Sequence, residues 1–464
     1  MSRLLCLVLA ALIVVGMVGA QEKPKALSGG TARTASLGGG PYNPYIQDYT
    51  DVFVNPANAA MYSDLLYSDV GYNFAQYSAT GQFVGWTLGL GDLALGVVVG
   101  RREGPMFAEL AYGGGQFTSS DYMVNDINGY TGANFGINTQ EPRVPIQVYG
   151  AFRMGLLTVG GGIYRSSWSR TDDGTGSVAQ DQKVDYSNSQ TGIKGGVLVE
   201  LTPSFIVDGS LLFRMNSSQV EFTDKTPATP AADPSSAKYD GAGNELAING
   251  RVFFKLSDRT TVIPMVRFST FSYKPKQTFT LTPMPATPIL TTPNDYGRTE
   301  FEVGAGINTK FDGGWVVVGA SVQSIKLRND VSSQTAFGQP ITTTKYSTTA
   351  FDLPKINFGA EVELLSWLSG RFGYFKRLSN QTTTVEPPAP GTKTEQTIGG
   401  EPSFVPTLGR SALQQQLAMG LNISAGRLSI DGYMGERVLA AGSWLLSGTA
   451  QDIFGVLSLS VKFN

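Results

Sequence analysis

Long stretches of the chain alternate between apolar and polar residues with a period of two. At the C-terminus, Ile453, Gly455, Leu457, Leu459, Val461 and Phe463 fall on one face, and Ser458, Ser460 and Lys462 on the other. Between 300 and 311, Phe301, Val303, Ala305 and Ile307 oppose Glu300, Glu302, Asn308 and Lys310. Further along, Ile356, Phe358, Ala360, Val362 and Leu364 oppose Lys355, Asn357, Glu361 and Glu363. Leu246, Ile248, Val252, Phe254 and Leu256 stand against Glu245, Asn249, Arg251 and Lys255. Such dyads are β-strands with one apolar and one polar face. Helical spacing is not sustained anywhere after residue 20.

The connections between these segments alternate in length. One set is very short: Gly91-Asp92, Met154-Gly155, Thr202-Pro203-Ser204, Ser257-Asp258-Arg259, Asp312-Gly313-Gly314, Ser366 and Ala425-Gly426. The other set is long and rich in Thr, Ser, Pro, Asp and Gln, at 103–143, 169–190, 221–243, 274–297, 329–350, 380–412 and 438–451. Tight turns on one side and long loops on the other are the plan of an all-β, antiparallel, up-and-down transmembrane β-barrel. Strands are expected near 66–77, 82–90, 93–102, 144–153, 156–168, 190–201, 205–220, 244–256, 260–273, 298–311, 315–328, 351–364, 367–379, 413–424, 427–437 and 452–463. That gives sixteen, or fourteen if two belong to loops. Many exceed the ~9–11 residues that cross a bilayer, so the wall is expected to project beyond it. Tyr72, Tyr77, Trp86, Tyr164, Trp168, Phe271, Tyr273, Trp315, Trp367 and Phe463 lie near strand ends and suit an interfacial girdle. A soluble secreted β-sandwich reads the same from any single strand and stays as the alternative.

The first twenty residues bear on the choice. Arg3 is followed by the apolar run Leu4 to Val18 and the small residues Val18-Gly19-Ala20, the pattern of a secretory signal peptide. The rest of the chain has no apolar run long enough for a transmembrane helix. An exported chain with this patterning is expected in the outer membrane of a Gram-negative bacterium, in contact with its lipid.

Composition then narrows the chemistry. The 464 residues are 41% apolar and 16% charged, with net charge −2, 56 glycines, no histidine and one cysteine. That cysteine, Cys6, lies in the signal segment. Without histidine there is no Ser-His-Asp or Cys-His relay and no imidazole metal site. The near-neutral charge argues against a nucleic-acid partner. No catalytic residue, metal ligand or cofactor is expected, and the protein is not read as an enzyme.

The expected inward face carries Arg153, Lys194, Glu200, Asp208, Arg214, Arg251, Lys255, Glu300, Glu302, Lys310, Glu361, Glu363, Arg371 and Asp431. Arg214, Arg251, Glu300, Glu302, Glu361 and Glu363 are the leading lumen-lining candidates. Mixed signs suit internal ion pairs; a hydrated polar wall is the plainer reading. The same-face pairs Glu300/Glu302 and Glu361/Glu363 have the spacing to hold a cation or share a proton, although a satisfied wall is commoner.

Residues 21–65 do not alternate. Ala32-Arg33, Leu37-Gly38-Gly39, Asp48, Asp51, Val52-Phe53 and Asn55-Pro56-Ala57, in that order before the first strand, resemble the FadL superfamily, in particular its PorV/PorQ-like branch. The resemblance covers about forty residues; elsewhere only the architecture is similar. Asn58 departs from the glycine usual after Asn-Pro-Ala, as does the run Tyr42-Asn43-Pro44-Tyr45. The resemblance implies that residues 21–65 form a hatch inside a barrel of residues 66–464, with Gly38, Gly39, Asp51, Phe53, Asn55, Pro56 and Ala57 as its motif. An ordinary Asx-Pro turn at Asn55-Pro56 is the plain alternative. Two functions follow from it: a passive channel for hydrophobic small molecules, or a PorV-like non-enzymatic scaffold or shuttle partnered with components of a protein secretion system. A general porin is a third.

Overall fold

The computed structural model describes residues 28–38, 42–70, 82–101, 143–173, 182–224, 234–281, 288–293, 295–333, 340–388, 393–398, 415–435 and 455–463. The signal-peptide reading of residues 1–20, Gly39, Tyr72 and Tyr77 lie outside the described residues.

Among the described residues a single antiparallel sheet of eighteen strands makes up the fold. In chain order they are β1 (Leu65–Val70), β2 (Phe83–Leu90), β3 (Leu93–Val99), β4 (Arg143–Met154), β5 (Leu157–Asp173), β6 (Gln182–Thr202), β7 (Phe205–Asp224), β8 (Pro234–Lys255), β9 (Thr260–Leu281), β10 (Pro288–Pro293), β11 (Asp295–Phe311), β12 (Gly314–Ser333), β13 (Thr342–Leu365), β14 (Leu368–Glu386), β15 (Thr394–Ile398), β16 (Gln415–Ala425), β17 (Leu428–Gly435) and β18 (Val456–Lys462). Among the described residues β10 is in register with β9 and β15 with β14, while β9 continues onto β11 and β14 onto β16. These two short strands are therefore additions to long connections, and sixteen strands form the wall. The wall closes because β1 pairs with β2 on one side and with β18 on the other. The Phe463 amide donates to the Asp64 carbonyl at 2.9 Å beside that seam. The expected count of sixteen and the rhythm of tight turns both hold.

Alternation sends apolar side chains outward. Val97 on β3, Val148 on β4, Ile163 on β5, Ile193 on β6, Phe213 on β7, Ile248 on β8, Val266 on β9, Phe301 on β11, Val318 on β12, Phe372 on β14 and Met419 on β16 are all exposed, forming an apolar belt over these strands. Such a belt belongs in lipid, because water would leave its whole area unburied. Among the described residues no helix is long and apolar enough to cross a membrane. Spanning is done by strands, whose backbone groups are satisfied by their neighbours.

β5–β9 and β11–β14 are 17 to 24 residues long. Farther from the tight turns, their outward positions become Ser217 and Glu221 on β7, Lys238 and Asp240 on β8, Lys274 and Lys276 on β9, and Lys326 and Arg328 on β12, all exposed. The wall therefore rises above the belt with water on its outer face. β6, β8 and β13 reach well into segments expected as loops. Where both faces are wet, Thr and Ser occupy both, and the period-two signal vanishes although the ladder continues.

The aromatic girdle needs correction. Trp86 and Trp367 do face outward, but Tyr164, Phe271 and Tyr273 are buried inside the cylinder. Tyr273 bonds Tyr239 at 2.9 Å, also inside. Trp315 points inward as well, donating its indole N–H to Glu361 at 3.1 Å. Position near a strand end does not specify a face; parity does.

Candidate functional site

Residues 28–38 and 42–64 lie inside the cylinder. The helix α1 (Thr31–Ser36) ends at Gly38, whose φ is +76°. A Cβ there would lie 2.8 Å from the Tyr374 carbonyl and 2.9 Å from that of Phe358. Both the left-handed backbone and the closeness of the wall require glycine. Two 3-10 turns follow. The first, Tyr49–Phe53, is capped by Asp48, which accepts from the Thr50 amide at 3.0 Å while Asp51 accepts from the Asp48 amide at 3.1 Å. The second, Pro56–Ala60, is capped by Asn55, whose Oδ1 accepts from the Ala57 amide at 2.9 Å. Pro56 sits at the first position, where its missing N–H costs nothing.

Two ionic anchors tie this segment to the wall. At the first, Arg251 of β8 reaches Asp51 at 2.8 Å and Asp208 of β7 at 2.8 Å. The Asn55 amide donates to the other Asp208 oxygen at 2.6 Å. Arg251 also donates to the Ile46 carbonyl at 3.0 Å, and Lys194 of β6 donates to the Phe53 carbonyl at 2.6 Å. At the second anchor, Arg33 bridges Asp48 at 3.1 Å and Glu361 of β13 at 3.3 Å. Glu361 holds Arg371 of β14 at 2.5 Å, and Arg371 holds Asp431 of β17 at 2.6 Å. Asp431 in turn accepts from the Ser28 hydroxyl at 2.9 Å. The contacts thus reach opposite sides of the wall.

Burial sets the charge states. Burial pushes the Asp51 carboxyl up to about 7 against the pull of Arg251, and the nearby Asp208 carboxylate adds to the rise. Asp51 Oδ1 accepts no hydrogen bond, which leaves it able to carry the proton. Burial alone would lower Arg33, but Glu361 and Asp48 outweigh it and hold it cationic. Tyr42, stacked under Arg251 and Arg267, is pushed up to about 12 by burial.

The wall is hollowed for the segment. A Cβ on Gly160 of β5 would fall 2.2 Å from the Ala57 nitrogen, and one on Gly196 of β6 1.8 Å from Asn55 Oδ1. On the far side, Gly373 and Gly420 leave room for Ser36 and Leu37. Phe53 packs in an aromatic cluster, 5.4 Å from Phe83 and 5.9 Å from Tyr67, with the Arg101 guanidinium 3.8 Å above its ring.

The expected lumen-lining residues divide. Arg251 and Glu361 meet the segment. Arg214 does not; it pairs with Glu245 at 3.0 Å within the wall. Glu300 accepts from Arg298 and Gln323. Glu302 is neutralised by Lys355 at 2.9 Å and Arg267 at 3.4 Å. The Glu300/Glu302 pair is a satisfied wall, and among the described residues no acidic cluster has the makings of a metal site. Glu363 shares the inward parity of Glu361 and stands exposed at the rim beside the Ser366 turn. Arg153 and Glu200 are half-exposed at the same rim, 4.0 Å apart. Sequence reasoning missed the role of Arg33 and Asp48 as an anchor, and the four glycines as a contact surface. The inward parity of Gly160, Gly196, Gly373 and Gly420 was the available signal.

A cavity of about 510 Å³ opens at the tight-turn end beneath the segment. Its apolar lining includes Ile46, Met61, Phe253, Ile263 and Trp315, and its polar lining includes Arg33, Lys255, Arg259 and Lys310.

Belt, closed wall and internally bound segment define a transmembrane β-barrel with a filled interior at the level of its N-terminal residues. No family model matches the sequence, nor does any curated protein. Among solved structures, the chain is similar to the Pseudomonas putida toluene transporter TodX, at 12% identity over 95% of this chain and 100% of that one, with TM-score 0.39. The Ralstonia pickettii toluene transporter TbuX gives 12% identity over 94% and 99%, with TM-score 0.38. The monoaromatic hydrocarbon channel CymD gives 9% over 95% and 99%, with TM-score 0.34.

Proposed function

We propose that the protein is an outer-membrane conduit for small hydrophobic molecules, exported by a cleaved signal peptide of residues 1–20 and closed by its own residues 21–65 as a hatch. Residues 66–464 are the barrel. The observation that carries this reading is the pair of buried ionic anchors, Arg251–Asp51 and Arg33–Glu361, which fasten the N-terminal residues to opposite walls. A permanently open porin would gain nothing from such a fastening. The substrate class follows from the resemblance of residues 32–57 to the FadL superfamily, and the aromatic cluster at Phe53 and the apolar side of the mouth cavity suit it.

The test is a lock. A Cβ on Gly359 would lie 3.0 Å from Leu37 Cβ and 2.8 Å from the Leu37 carbonyl oxygen, so the segment must draw back by a few tenths of an ångström to reach the ~3.5–4.5 Å that a disulfide spans. The pair Leu37→Cys/Gly359→Cys, oxidised in a chain otherwise free of cysteine after residue 20, should abolish uptake of a small aromatic hydrocarbon into liposomes. Reduction should restore it. Uptake indifferent to the lock would sink the hatch.

The PorV-like scaffold reading has one observation in its favour: the wall rises above the belt with a polar outer face. It expects no uptake in either redox state.

A further inference from the structure

We propose that the mouth cavity is a binding site for small amphiphilic anions, with a ring system as the apolar part and a sulfonate, carboxylate or phosphate as the head. The inference starts from an imbalance. Deep in the barrel the inward cations are matched: Arg214 by Glu245, Arg251 by Asp51 and Asp208, Lys355 by Glu302, Arg371 by Glu361 and Asp431. At the mouth this stops. Lys255 and Lys310 face inward with no ion pair and no side-chain hydrogen bond among the described residues. Lys255 pairs with Thr261 across β8–β9, and Thr261 pairs with Asn308 across β9–β11, two residues from Lys310 on the same face. Strands lie ~4.8 Å apart and residues rise ~3.3 Å along a strand, so the two stems are about 12 Å apart and both long side chains reach one anionic group between them.

Below them one side of the cavity is apolar and the other, with Arg33, Gln47 and Asn308, is polar. Phe253 and Ile263 form the apolar wall, and Trp315 contributes an indole fixed by its bond to Glu361. A volume of about 510 Å³ falls in the ~300–1,000 Å³ range of small-molecule sites. Asp258 at the rim and Arg259, occupied by Asp312 at 3.1 Å, do not cancel the two free lysines. An apolar side formed by Phe253, Ile263 and Trp315, with paired free cations at the lip, selects a molecule with one apolar end and one anionic end. Neutral hydrocarbon lacks the head, and inorganic anions lack the body.

The experiment titrates the mature protein in nanodiscs with 2-naphthalenesulfonate, followed by tryptophan quenching. Saturable binding is expected, weakened tenfold or more in Lys255→Gln/Lys310→Gln and by high salt, and unchanged in Lys276→Gln/Lys326→Gln on the outer wall. Naphthalene itself should bind at least tenfold more weakly, and Trp315→Phe should remove a distinct part of the quench. Heat-modifiable mobility reports that each variant folds; both lysines are exposed, so the barrel does not depend on them. Equal affinity for naphthalene, or a double lysine variant that binds as well as the parent, overturns the site. So does saturable capture of an acidic peptide with no response to the sulfonate. Binding is read without passage, so failure of the uptake lock leaves this result standing, and failure here leaves the lock standing.

Discussion

The Asp51 carboxylate lies 2.8 Å from the Arg251 guanidinium, with both side chains 1% exposed. One belongs to a 3-10 turn of the N-terminal segment and the other to the wall, so this contact joins the two parts of the molecule. Removing one partner of a buried pair leaves the other uncompensated and costs ~3–5 kcal/mol. Arg251→Met strands both Asp51 and Asp208. The variant should keep a heat-modifiable barrel while the segment around residues 28–64 becomes open to protease. Adding Asp51→Asn and Asp208→Asn should recover much of the protection.

Docking of the segment should depend on pH through Asp51. Its carboxyl is held up at about 7 when docked, whereas a solvated aspartate titrates near its ordinary value, ~4. The docked state therefore binds the extra proton between those limits. This contribution is fully present below pH ~4 and is lost as pH rises through about 7. Protease access to residues 28–64, measured from pH 5 to 8, should increase with pH, and Asp51→Asn should flatten the profile.

Gly160→Val and Gly196→Val should wedge the segment from the wall, because each new side chain overlaps Ala57 or Asn55. Gly195→Val meets nothing within 4 Å and points outward, so it serves as the control. Liposome conductance should rise in the first two and stay at the parent level in the third.

Asn55→Ala removes both the cap on Ala57 and the bond to Asp208. A lost cap costs ~1 kcal/mol, and a buried carboxylate oxygen left without its donor ~1–3 kcal/mol more. The protease midpoint of the segment should fall, while barrel mobility on a gel stays unchanged. Asn55→Asp should be worse than Asn55→Ala, since it sets a second carboxylate against Asp208.

Much of this was open to reading along the chain. The sixteen wall strands follow from period-two alternation and tight turns, both local. So does the inward orientation of Arg251, Asp208 and Glu361, which is parity alone. The strand ends were harder. β8 begins at Pro234 and β13 at Thr342, in Ser- and Thr-rich sequence that carries no face preference once both sides are wet. The aromatic residues misled for the related reason that Tyr164, Phe271 and Tyr273 suit a lipid interface and a packed interior equally well.

The sequence by itself determined the barrel: each strand's two faces, its turns and its closure count are written in neighbouring residues, because a pleated strand repeats every second position. Only the tertiary structure decided which charges meet. Arg251 with Asp51, Arg33 with Glu361 and Gly160 beneath Ala57 join residues far apart in the chain, and curvature of the wall around the segment sets those distances. It also decided which cations stay free. Lys255 and Lys310 look like any inward lysine in the sequence, and they differ because the segment that neutralises the interior ends above them.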